Sequence, residues 1–168
     1  MKVPALASAI ALALTVSATA QDRTNSLVNG VAPMATTDPQ ILIYRVSGVL
    51  DNGSPDLGVA TTFACSSISS QMEIVRIRLF NYDGVLMGDR TLNISPKRTV
   101  SISTHSTMMI SEDSVVSPGT AINRGMAGII ATSKEIFCSA MIVDAVAAIP
   151  NGVALHMVRF NPAQGSVE

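Results

Sequence analysis

Between Glu73 and Asn81 the sequence EIVRIRLFN sets Val75, Ile77 and Leu79 at every second position with Arg76 and Arg78 between them. That is the period of a strand with one buried and one solvated face. Seven further runs have β character: QILIYRVSGV at 40–49, GVATTFACSS at 58–67, VLMGDRTLNI at 85–94, RTVSISTH at 98–105, GMAGIIATS at 125–133, EIFCSAMIVDA at 135–145 and GVALHMVRF at 152–160. In RTVSISTH the inward residues are expected to be Val100 and Ile102, with Thr99, Ser101 and Ser103 outward. Turn formers separate the runs, among them Asp51-Asn52-Gly53 and Asp83-Gly84, where positive φ is tolerated. Every proline after position 20 falls between runs, so no strand interior loses a backbone N–H. Residues 135–149 also contain good helix formers, but Ile136, Ile142, Val143, Val146 and Ile149 make no single helical stripe. The pattern predicts an all-β, antiparallel two-sheet sandwich of about seven or eight strands.

One interval breaks the rhythm. Residues 106–124, STMMISEDSVVSPGTAINR, are long for a connection in a compact domain unless they carry function. They are the candidate recognition loop, with Ser111, Glu112, Asp113, Asn123 and Arg124 as candidate binding residues.

The ends of the chain speak of compartment. Residues 1–20 begin with Lys2, continue through an apolar run and end in Ala18-Thr19-Ala20, the layout of a secretory signal peptide cleaved near Ala20. The apolar run from Ala5 to Val16 is shorter than the roughly 20 residues that span a bilayer. The expected organisation is a signal peptide at 1–20, an extended segment at 21–39, one sandwich domain at 40–162 and a short tail at 163–168. The expected location is periplasmic or secreted, in a bacterium, with no membrane span in the mature chain. Without Lys2, ten basic residues face twelve acidic ones in no blocks, which argues against a nucleic-acid partner.

The chain has two cysteines. By strand parity Cys65 shares a face with Phe63, and Cys138 shares one with Ile136, Ala140 and Ile142, so both sulfurs point inward. An even cysteine count behind a leader peptide argues for a disulfide. The second and seventh runs hold these residues, early and late in the chain, as a bridge between two sheets requires. A catalytic thiol needs a basic neighbour, and only Lys134 is near Cys138 in sequence. A Cys-x-x-Cys redox pair is absent, and a blue-copper loop at Cys138 and Met141 lacks its histidine. With TTFAC at 61–65 and IFCSA at 136–140, the chain resembles the immunoglobulin-like and fibronectin-like sandwiches, which implies two packed antiparallel sheets and an inter-sheet disulfide. That resemblance carries no function with it.

Other chemistry is sparse. His105 and His156, with Met108 and Met109, make a candidate copper site, since thioethers and imidazoles suit that metal; the plainer reading is core-filling methionines. Ser103 or Ser106, His105 and Asp144 supply the types of a hydrolase triad, but triads are defined by geometry. No G-x-S-x-G, H-E-x-x-H or phosphate-binding glycine motif occurs. Arg76 and Arg78, joined by Arg45 and Arg159, suggest a sheet face for acidic polymers, against a simple solvated face. The expectation is a non-enzymatic binding or surface-structural module without cofactor, taking a protein or glycan partner. Two alternatives are a periplasmic copper-binding protein and a surface-polymer subunit that self-assembles by strand addition, its N-terminal segment as the donor.

Overall fold

The structure, a computed structural model, describes residue 39 and residues 41–52, 55–149 and 151–160. The expected signal peptide, residues 21–38 and the tail at 163–168 lie outside the described residues. Within these bounds the chain is all-β, with no helix among the described residues. Ten strands follow one another: β1 (Ile41–Asp51), β2 (Val59–Ser67), β3 (Glu73–Phe80), β4 (Leu86–Ile94), β5 (Thr99–Ser103), β6 (Ser114–Val115), β7 (Ile122–Ala131), β8 (Ile136–Asp144), β9 (Gly152–Ala154) and β10 (Met157–Arg159). They form two five-stranded sheets, ordered β10-β1-β7-β3-β4 and β6-β5-β2-β8-β9. All pairings are antiparallel except β5 with β6.

Alternation decides the faces. Val75, Ile77 and Leu79 of β3 are fully buried, while Ile74, Arg76, Arg78 and Phe80 take the outer side. Val46, Val75, Ile77 and Ile129 of the first sheet join Phe63, Cys65, Ile102, Ile136 and Ala140 of the second in one core. Tryptophan is absent, so branched aliphatic side chains fill the layer, roughly 10 Å thick, between sheets packed in this way.

Two stretches depart from the sequence-based expectation. Residues 152–160 are not one strand: β9 pairs with β8 in the second sheet and β10 with β1 in the first. The backbone crosses the flank at Leu155, whose N–H donates to Ala140 O at 2.9 Å. The period-2 pattern of GVALHMVRF cannot reveal the change of sheet, because both halves keep the same alternation. The interval 106–124 likewise works as a strap. It leaves β5, donates from Met108 N to Ala145 O (2.9 Å), and returns to β5 through Asp113 N to Ser101 O (2.8 Å). It then forms β6 and buries Val116 over β4. Gly88 permits that approach, since a Cβ there would stand 2.7 Å from Val116 Cγ1.

The disulfide is present, but the expected inter-sheet bridge is corrected. Cys65 and Cys138 face each other directly on β2 and β8, which are neighbours in the second sheet. Parity correctly turned both sulfurs toward the core, yet parity specifies a face and not a partner. The bridge therefore ties two adjacent strands of one layer and does not itself join the layers.

Polar contacts also link the sheets: Thr61 Oγ1 of β2 donates to Leu50 O of β1 (2.7 Å) and accepts from Leu50 N (3.0 Å). His105, just past β5, places Nδ1 2.6 Å from Asp51 Oδ1 at the end of β1, and its Nε2 donates to Leu57 O at 3.1 Å. His105→Ala strands a buried carboxylate and a carbonyl. Urea titration is expected to show a loss of about 2–3 kcal/mol; an unchanged midpoint counts against the contact.

Candidate functional site

The β3–β4 connection is a tight turn because Asn81 organises it. Its Oδ1 accepts from Asp83 N (3.2 Å) and Val85 N (3.1 Å), its N–H donates to Val85 O (3.0 Å), and Gly84 takes φ of +84°. A side-chain oxygen closing its own turn is the usual role of asparagine in such a position. The turn thrusts Tyr82 outward, 74% exposed. Beside it β7 begins, and the Arg124 guanidinium carbon stands 5.4 Å from the Tyr82 ring centroid. Such a cation over an aromatic face contributes about 0.5–1 kcal/mol at an exposed site, enough to orient both groups.

Gly48 and Leu50 of β1, Asn81 and Tyr82 of the turn, and Asn123, Arg124, Gly125 and Met126 of β7 line an open notch of about 410 Å³. Its floor is backbone. A Cβ on Gly125 would come within 2.7 Å of Phe80 O and 2.4 Å of Ile122 Cγ2, so only glycine fits there. An aromatic platform, one guanidinium, a thioether and two carboxamides thus surround an apolar hollow. No carboxylate, imidazole or thiol is among these lining residues.

Of the candidate binding residues, the structure brings Asn123 and Arg124 into the notch and leaves the other three apart. Glu112 Oε1 accepts from Thr107 N (2.9 Å) and Thr107 Oγ1 (2.7 Å), and Asp113 Oδ2 accepts from Ser101 N (2.7 Å). These carboxylates fold the strap, while Ser111 is exposed on it. Sequence reasoning missed Gly48, Leu50, Asn81, Tyr82, Gly125 and Met126. One signal was available: an aromatic residue inside the turn-forming Asn81–Gly84 stretch has nowhere to be buried.

The other candidates separate too. Both ring nitrogens of His105 face protein oxygens, which leaves no lone pair directed at a metal. Met108 is exposed, Met109 half-buried, and His156 is exposed at the break between β9 and β10. Among the described residues no cluster of three or more His, Cys, Asp or Glu is placed to hold a metal ion. Asp144 Oδ1 accepts from Val146 N at 3.0 Å and so closes its own turn. The triad types are not assembled around His105, whose carboxylate partner is Asp51.

The arginines divide into two groups. Arg159 leaves the stripe: its guanidinium carbon lies 4.3 Å from the Phe137 ring centroid and 5.5 Å from that of Tyr44, with donation to Tyr44 Oη (3.2 Å) and Lys134 O (2.9 Å). It fastens β10 to both sheets. Arg45, Arg76 and Arg78 share the outer face of the first sheet. Arg76 grips Asp89 through Nε–Oδ1 at 2.7 Å and a second nitrogen on Oδ2, while Arg78 Nε stands 3.8 Å from that carboxylate.

No family model and no curated protein matches the chain. A solved structure titled "Crystal Structure of Thermotoga maritima 1070" aligns with a TM-score of 0.44 and 11% identity, over 71% of this chain and 91% of that one. A likeness at that level carries no functional argument. Fold and site together define the class: an all-β two-sheet protein with a cross-strand disulfide and an open, arginine- and tyrosine-flanked notch at one sheet end.

Proposed function

We propose that the chain is an exported, non-enzymatic binding module of the immunoglobulin-like sandwich kind, with the notch beside Tyr82 as its ligand seat. The observation that carries this reading is the 74% exposed Tyr82 ring, held under Arg124 at the mouth of a preformed apolar hollow. An exposed aromatic platform with a few polar groups converging on it is how ligand seats are built. The lining residues include no carboxylate, imidazole or thiol, which favours binding over turnover. Export is supported by the composition of residues 1–20 and by the disulfide, which persists in oxidising compartments. No helix among the described residues is long and apolar enough to cross a membrane. Two five-stranded sheets on one core support the immunoglobulin-like kinship. The test is amide shift mapping by NMR with panels of oligosaccharides and peptides. Ligand-induced shifts are expected at 48–50, 81–82 and 123–126, and to vanish in Tyr82→Ala; shifts confined to 106–117 would move the seat to the strap.

A second reading, the self-assembling surface subunit, is favoured by one observation. Among the described residues β9 pairs with β8 at Met141–Val143 and β10 with β1 at Tyr44–Val46, extended by Leu155 N to Ala140 O and Phe160 N to Ile43 O, and the rest of these two longer edges has no paired strand, which suits an added one. It requires large assemblies by light scattering at high concentration; a monomer there removes it.

A further inference from the structure

Outward residues of the first sheet stand in rows, because directly paired residues share a face. One row reads Val158, Arg45, Gly128, Arg78, Asp89 across β10, β1, β7, β3 and β4. With strands about 4.8 Å apart, the Cα atoms of Arg45 and Arg78 stand roughly 10 Å from each other across Gly128.

Gly128 lies on the outward side of β7 but is buried beneath the side chains around it. It has no positive φ, and a Cβ would meet only Leu42 Cδ1, at an ordinary 3.6 Å. Glycine in the middle of a strand costs about 0.5–1 kcal/mol relative to alanine, and such a glycine often marks close approach by a ligand or by another chain. The contrast with Gly125, where a Cβ strikes backbone, is sharp.

The flanking cations are under-compensated. Asp89 is taken bidentately by Arg76. The Arg78 side chain, 11% exposed, lies against Phe80 with its Nε buried and without a hydrogen-bond partner. Arg45 has no carboxylate within 4.0 Å among the described residues. Arg78 keeps only the 3.8 Å ion pair to Asp89, which Arg76 already holds, and a buried N–H without a hydrogen bond is unfavourable; carboxylates match the guanidinium fork in geometry as well as charge. The row also adjoins the notch: Met126 lines the hollow and pairs with Phe80 one outward row from Gly128. Arg124 follows four residues before Gly128 on β7, roughly 13 Å away at strand rise. Two cationic points thus flank an apolar stretch, with an exposed tyrosine ring at one end.

We propose that this face takes a linear acidic glycan, a sugar ring resting on Tyr82 in the notch, with carboxylates at Arg124 and between Arg45 and Arg78. The proposal rests on the reading of the notch as a ligand seat. A glycan is favoured over an acidic peptide because β1, β7 and β3 are paired on both sides along this row, so no backbone is left for the strand addition by which sheets take extended peptides. Recognition must be by side chains, and a ring platform with carboxamides and guanidinium groups suits a polyhydroxylated acid.

The experiment is calorimetric titration of the full chain with decagalacturonate, a neutral maltodecaose and deca-glutamate at two salt concentrations. The acidic glycan should bind at least tenfold more tightly than the other two, and more weakly at high salt. Arg45→Gln with Arg78→Gln should weaken it at least tenfold while the thermal midpoint is kept, and Arg78→Lys should restore part. Gly128→Ala should weaken binding without loss of stability. Equal binding of the neutral glycan, tighter binding of deca-glutamate, or an unchanged affinity in the double variant overturns the proposal; if Tyr82→Ala still abolishes binding, the notch reading survives. If no glycan or peptide perturbs the notch, both fall.

Discussion

Replacing Cys65 and Cys138 together by alanine is expected to lower stability by about 4 kcal/mol. The two residues are 73 positions apart, and in the chain-entropy model opening a loop of that size releases about that much from the unfolded ensemble. For a domain of this size the thermal midpoint should fall on the order of 10–15 °C. Because the bridge joins neighbours already paired in one sheet, its removal breaks no covalent tie between layers. The variant should still fold, with unchanged far-ultraviolet dichroism at low temperature and a shifted urea midpoint. Unreduced wild-type protein should gain no mass on alkylation. A loss under about 1 kcal/mol, or two alkylatable thiols, would show that the cross-link is not what holds β2 to β8.

Phe63→Ala should cost a similar amount by a different route. Phe63 is fully buried on β2, the middle strand of the second sheet, directly paired with Ile102 and Ala140. The core has no tryptophan to shift into the space, and the neighbouring alanine has no side chain long enough to refill it. Truncating a buried phenylalanine costs about 3–5 kcal/mol, of which part is the cavity left behind. Phe63→Leu keeps most of the volume and should lose under about 1.5 kcal/mol. Comparable losses in the two variants would mean that the site collapses freely and that the packing around Phe63 is loose.

These two residues also show how far the chain could be read unaided. TTFAC places Phe63 and Cys65 on one face, and both are buried; no tertiary information was needed for that. Which strand lies beside β2 was another matter. Alternation is a property of one strand, whereas pairing depends on how loops carry successive strands between layers. An early and a late cysteine therefore suggested two sheets when the chain had brought them side by side.

The same limit explains the site. Asn123 and Arg124 were singled out as the end of a long polar interval, and the notch holds them. Ser111, Glu112 and Asp113 came from the same interval for the same reason, but Glu112 bonds the strap's own backbone at Thr107 and Asp113 fastens the strap to β5 at Ser101. Tyr82, Gly48 and Leu50 come from strands and a turn distant in sequence, and only the ordering β1-β7-β3 places them around one hollow.

What the sequence by itself determined is the all-β character and the longer strands, their inward apolar faces, the turns between them and the fact that both sulfurs look into the core, because each follows from local sterics and the burial of alternate side chains. The tertiary structure alone decided the neighbours of each strand, the two straps that close the flanks, the intra-sheet position of the cross-link and the meeting of Tyr82 with Arg124. Those depend on contacts between residues far apart along the chain, whose energies are set by packing in three dimensions and leave no periodic trace in one.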